Sequence, residues 1–178
     1  MLALVVSACV LAVPVLADVP TPYAGQQNRT IKALSDEDVA ALLKGDGMGF
    51  AKAAELNGYP GPKHVLDLGE RLSLTTEQHR QIQAIFEKMS AAAKPLGAEL
   101  VERERTLDQL FQKGEITPDR LAAETAAIGD LQGRLRDVHL SAHLETRALL
   151  RPEQITLYEQ LRGYGDPVAP MMEQHHHG

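Results

Sequence analysis

His139 and His143 stand four residues apart in the stretch "VHLSAHLETRALLRPEQ", Val138 to Gln154. On an ideal helix that spacing stacks two imidazoles on one face, close enough to share a single metal ion. The hydrolytic zinc motif is absent, because Leu140 follows His139 where a general-base glutamate would be needed. At about 100° per residue, His139 falls on the flank of a Leu135–Val138–Ala142 stripe and His143 falls further round. Two readings stay open. In the plainer one, His139 is a partly buried seam residue with a local hydrogen bond and His143 is solvated. The functional one needs a third ligand from elsewhere, with His64 the first candidate and His79 and Met89 behind it. Such a site suits Zn, Cu, Ni or Co, since imidazole serves all four. Nothing else in the chain requires a cofactor.

A second group of metal-type donors closes the chain in "MMEQHHHG", where Met171 and Met172 precede His175, His176 and His177. Thioethers and imidazoles on one segment suit copper or nickel chelation, although the remnant of an affinity tag would read the same way. Leu140 and Leu144 form a further patch, one turn apart and away from the main stripe. The N-terminal helices are expected to cover it, a dimer mate or a client being the alternatives. The charged "VERER", Glu102 to Arg105, reads as a solvated helix face. No nucleophile with its base, paired carboxylates or phosphate-cradling glycine loop is visible, so no catalytic residue is assigned and a non-enzyme is expected.

The elements that position the histidines are helices. Ile82, Ile85, Met89, Leu96, Leu100, Leu107 and Leu110 recur at helical spacing, predicting one helix from about Thr76 to Gln112. Its length would be about 55 Å. Pro95 removes one backbone hydrogen bond within it and predicts a kink. Gly114 closes it, and Thr117 with Pro118 opens a second helix running to about Leu149. That helix carries Leu121, Ile128, Leu131, Leu135, Val138, Ala142 and Leu149 on one stripe, so the two form an antiparallel hairpin. A last helix spans Pro152 to Arg162. Upstream, Ser35 with Asp38 opens a short helix ended by Gly45, another covers Met48 to Leu56, and "NGYPGP", Asn57 to Pro62, is a loop. His64 to Arg71 forms a further helical turn or two.

The chain of 178 residues, 44% hydrophobic and without Trp, is the size of one modest all-α domain. A formal net charge of −6 argues against a nucleic-acid partner. The opening apolar run, Pro14 and "VLA" before Asp18 predict a signal peptide over residues 1–17 and hence export. The alternative is a lipoprotein anchored through Cys9 in "VSAC". An extended leader is expected over 18–33, short helices and a loop over 34–71, the hairpin domain over 72–162 and a disordered tail over 163–178.

Two helix beginnings echo each other. In "LTTEQ", Leu74 to Gln78, Thr75 caps the helix and Gln78 reaches back. In "LRPEQ", Leu150 to Gln154, Pro152 occupies the first helical position, while Arg151 has no hydroxyl to offer. The pair, separated by a helical hairpin behind an export signal, resembles the LTxxQ-motif family of Spy/CpxP-like periplasmic proteins and related zinc-resistance and heavy-metal-sensor proteins, over about Leu72 to Arg162. The resemblance implies a hooked four-helix hairpin and a homodimer shaped as a cradle. It also implies ATP-independent envelope-stress work in the periplasm: holding unfolded protein clients, engaging an envelope sensor protein, or binding metal. A structural envelope protein with another envelope protein as partner is a third reading.

Overall fold

The structure, a computed structural model, describes residues 21–164. The predicted signal peptide, Cys9 and the Met/His-bearing segment from Met171 to His177 lie outside the described residues. Among the described residues the fold is all-α: α1 (Asp36–Lys44), α2 (Lys52–Glu55), α3 (Pro62–Asp67), α4 (Thr76–Gln112), α5 (Pro118–Leu149) and α6 (Pro152–Arg162). The antiparallel α4–α5 hairpin is the frame, and the short helices pack on it. α4 continues through Pro95 without a break.

Local chemistry sets the helix ends. Ser35 Oγ accepts from the Asp38 N–H at 3.1 Å while Asp38 accepts from the Ser35 N–H at 3.0 Å, opening α1 with a reciprocal cap. Thr117 Oγ1 accepts from the Arg120 N–H at 3.3 Å at the start of α5. α2 is shorter than the expected Met48–Leu56 helix because Gly47, Met48 and Gly49 form a turn in which Met48 and Gly49 take positive φ. α3 begins on Pro62 and stops ahead of Gly69, so the helical turn predicted from His64 sits about two residues earlier.

Two apolar clusters hold the frame together. Ile31 and Leu42 meet Ala93, Leu96, Leu100 and Val101 of α4 and Ile128, Leu131 and Leu135 of α5 in one. Residues 21–34 run as turns and a short 3-10 helix, Gln26–Asn28, rather than as an extended leader, and Ile31 enters this core. The backbone of α1 comes closest at Gly97, where a Cβ would lie 2.1 Å from the Leu42 carbonyl oxygen. No larger residue fits there. Arg103 reaches Glu124 across the hairpin at 3.5 Å, so "VERER" is partly an interhelix contact and not only a solvated face.

The second cluster gathers Val65, Leu72, Ile82, Leu150 and Tyr158, with Leu74 packed against it. Over it the two echoed helix starts are joined through their glutamines. Gln78 Oε1 accepts from the Thr75 N–H at 3.0 Å and Gln154 Oε1 from the Arg151 N–H at 3.0 Å, so each closes its own helix start. Gln78 Nε2 donates to Gln154 Oε1 at 2.9 Å, and Gln154 Nε2 donates back to Gln78 Oε1 at 3.2 Å. The amides also cross over, Gln78 donating to the Leu149 carbonyl at 2.8 Å and Gln154 to the Leu72 carbonyl at 3.0 Å. Arg151 provides no side-chain cap, as its chemistry dictates, and its carbonyl takes the Gln154 N–H instead.

Gln154 is only 3% exposed, so truncating it strands acceptors that water cannot easily reach. Gln154→Ala is expected to cost about 2–4 kcal/mol of unfolding free energy in urea titration, the loss of several bonds and of buried satisfaction together. Adding Gln78→Ala is expected to cost clearly less than the sum of the single changes, because the two amides partner each other. Additive losses would show that the glutamines act independently.

Candidate functional site

α5 turns both histidines inward. His139 is 2% exposed and His143 is 8% exposed, so the expectation of a solvated His143 is corrected: the α2–α3 segment lies over it. The His143 Nδ1 is 2.7 Å from the Tyr59 carbonyl oxygen. A carbonyl can only accept, so Nδ1 carries a proton, and in the neutral ring the lone pair is then on Nε2. That is the arrangement in which a metal-binding imidazole is fixed by its other nitrogen. Beside Nε2 stands Gly61, whose missing Cβ would come within 2.8 Å of it. The space is open only because residue 61 is glycine.

His139 stacks on Phe50, with ring centroids 6.1 Å apart and planes 8° from parallel. Its Nε2 is buried and has no hydrogen-bond partner. A buried unpartnered ring nitrogen costs about 1–3 kcal/mol unless something else satisfies it. Its Nδ1 faces Gly47, where a Cβ would sit 3.5 Å away. The two histidines share the wall of a cavity of about 110 Å³ with His64, Met89, Phe86 and Asp46. The cavity continues outward into a wider depression rimmed by Met48, Lys52, Glu55 and Lys63.

Of the proposed third ligands, His64 and Met89 therefore reach the same cavity wall, on α3 and α4. His79 does not: it lies at the start of α4 beside Gly69 and Leu74. The His64 side chain is 41% exposed, with Nδ1 3.9 Å from Asp67 Oδ2. Among the described residues, no three His, Cys, Asp or Glu side chains stand together at ligand spacing. The cavity thus offers two inward imidazoles, one thioether in its wall and His64 at its edge.

Burial disfavours the charged form of His139 and His64. Burial, and then the neighbouring His143, hold the His139 pKa below its ordinary value, against a weaker opposing pull from Asp46. Burial, and then Arg162, lower that of His64. A neutral imidazole is the form that ligates a cation.

Glu55 is the organising residue that sequence reading missed. Oε1 accepts from the Tyr158 hydroxyl at 2.5 Å and lies 3.4 Å from Arg162 Nε. Oε2 accepts from the Gly61 N–H at 3.2 Å and is 3.8 Å from His143 Nδ1. The phenol is held strongly in its protonated form by burial and by this bond. Arg147 adds a second tie to the same loop, its Nε donating to the Gly58 carbonyl at 2.9 Å and its guanidinium lying 4.6 Å from the Tyr59 ring centre. The available signal was the pairing of glycines, 45, 47 and 49 with 58 and 61, which marks backbone lying close against another element.

Leu140 is half-buried, but Leu144 remains 57% exposed, so the N-terminal helices do not cover the patch as expected. Phe111 and Leu121, near the turn of the hairpin, are also exposed. No helix among the described residues is long and apolar enough to cross a membrane.

No curated protein and no solved structure matches this chain. A family comparison does match, over residues 50–156, a span that contains Glu55, His64, Met89, both α5 histidines and the paired glutamines. Members of that family are typically periplasmic and generally non-enzymatic. The chain belongs to the heavy-metal resistance family, the Spy/CpxP- and LTxxQ-related group of small helical proteins.

Proposed function

We propose that this protein is a non-enzymatic periplasmic metal-binding protein whose cavity takes one soft or borderline transition-metal ion on His139 and His143. The observation that carries the reading is the buried His139 Nε2 without a partner, placed on the same cavity wall as His143, whose Nδ1 is committed to the Tyr59 carbonyl. Met89 in the wall favours copper over harder ions, and His64 is the nearest further imidazole. The ion would satisfy nitrogens that the fold leaves open, joining α5 to the α2–α3 segment. Export is supported by the "VLA" ahead of Asp18.

A second reading, an ATP-independent chaperone or envelope-stress factor working as a homodimer on unfolded clients, is supported by the exposed Leu144, Phe111 and Leu121. It predicts suppression of client aggregation near equimolar ratio; no effect at large excess would count against it.

Titration of the full chain with Cu, Zn, Ni and Co is expected to give tight binding at the cavity that His139→Ala/His143→Ala removes, with circular dichroism verifying the fold. Only roughly millimolar binding would sink the reading. Met89→Leu keeps the volume and is expected to weaken copper more than zinc.

The apo protein carries a pH signature as well. In the unfolded chain His139 gains a proton as pH falls through its ordinary value of 6.5, whereas the buried native ring resists until lower pH. In that window the unfolded state binds more protons, so stability falls as pH falls. Tm is expected to drop between about pH 7.5 and 5, and His139→Phe is expected to flatten the drop. Equal slopes would exclude His139 as its source.

A further inference from the structure

Resting on the metal-binding reading, we infer that Met48 supplies a further thioether to the α5 cavity and so makes it a site for a soft monovalent ion, Cu⁺. The first observation is that the cavity is short of donors. His139 Nε2 is buried without a partner, and no three His, Cys, Asp or Glu side chains stand together at ligand spacing among the described residues. A donor added to the two imidazoles and Met89 is then of another type, and the thioether is the soft one that remains.

The second observation is the backbone of Met48. In the sequence Gly47-Met48-Gly49 the methionine takes φ 43°, in the left-handed region that glycine enters freely and an L side chain does not. Packing does not offset that strain: Met48 belongs to neither apolar cluster and is 42% exposed. A glycine would suit the turn better. Residues held against their local preference concentrate at functional sites.

The third observation is where the turn sits. Gly47 lies against the His139 imidazole, a Cβ there being 3.5 Å from Nδ1, and Phe50 stacks on the same ring while its N–H donates to the Gly47 carbonyl at 2.6 Å. Met48 follows Gly47 directly and rims the depression that opens into the cavity, sharing its wall with His64, His139 and His143. An unbranched side chain with three rotatable bonds can turn inward from that rim without moving the turn itself.

The ligand class follows from the donors. Two imidazoles in their neutral, ligating form and two thioethers make a soft set without charge, which selects Cu⁺ over Zn²⁺. A monovalent ion also brings only one positive charge into a buried site, and Asp46 lines the same cavity with one carboxylate against it.

The test is anaerobic titration of the full chain with Cu⁺ against a competing chelator, and with Zn²⁺ in parallel, in four forms: wild type, Met48→Leu, Met48→Gly and His139→Ala/His143→Ala. The ion that the histidine-pair variant fails to bind is the one compared. For that ion Met48→Leu, which keeps the volume, is expected to lower Cu⁺ affinity about tenfold or more and to change Zn²⁺ affinity by less than about twofold. Met48→Gly is expected to weaken Cu⁺ likewise without lowering the Tm of the metal-free protein, because the turn gains the residue its backbone favours. The Met48 methyl resonance, identified by its absence from the Met48→Leu spectrum, is expected to shift with Cu⁺ in wild type and not in the histidine-pair variant. Unchanged Cu⁺ affinity in Met48→Leu overturns the inference and leaves the cavity site standing. Equal loss of both ions in Met48→Leu, or a lower Tm in Met48→Gly, makes Met48 a structural residue and overturns it as well. A histidine-pair variant that binds as wild type does overturns the cavity reading itself and this inference with it.

Discussion

The paired amides of Gln78 and Gln154 are the constraint on which the rest of the molecule hangs. Two helix starts more than seventy residues apart in sequence are brought together, and each glutamine both closes its own helix and reaches the backbone carbonyl beside the other. Apolar packing between Leu72, Ile82, Leu150 and Tyr158 supplies most of the free energy there, at about 1.5–3 kcal/mol for each large side chain buried. Packing alone would tolerate sliding of α6 against α4. The amide ring does not, because its donors and acceptors are all satisfied together in one register only. With α6 fixed, Tyr158 and Arg162 are fixed, and through them Glu55 and the α2–α3 loop.

The candidate site is therefore assembled at a distance from the residues that determine it. The histidines come from α5, but the burial of His143 and the orientation of its ring depend on Tyr59 and Gly61, which Glu55 and Arg147 hold in place. Two glycines lie over the two rings, Gly47 by His139 and Gly61 by His143. The site is a backbone cradle laid against a helix face.

The long elements were legible because their signals are local. Period, the Thr75 and Thr117 caps, Pro118, Pro152 and the closing glycines place α4, α5 and α6 at the bounds the structure has. The antiparallel hairpin follows from the short link around Gly114. The echo of the two glutamine-bearing motifs was visible too, but not that the glutamines bond to one another, since that contact joins positions with no shared local pattern. The depth of His143 was misjudged for the same reason: helical phase places a side chain around an axis and does not say that a proline- and glycine-rich loop will cover it. Between His64 and His79, equal in residue type, only the path of the chain decides which reaches the cavity. The exposure of Leu144 marks the limit in the other direction, an apolar position that the expected cover does not reach.

The hairpin is also unequal along its length. Near its base it is flanked by α1, α3 and α6, whereas beyond Leu107 and Ile128 the named apolar core stops, and the final turns are accompanied by the Arg103–Glu124 and Lys32–Asp108 pairs and a partly buried Leu110 and Ile116. Local opening is cheapest where few buried contacts must be broken. The molecule is in effect a clamped lever, rigid at the end that holds the histidines and compliant at the end that shows Phe111 and Leu121. An apolar surface meeting that tip would be met by the part of the chain able to change shape at least cost, while the cavity at the other end keeps its geometry.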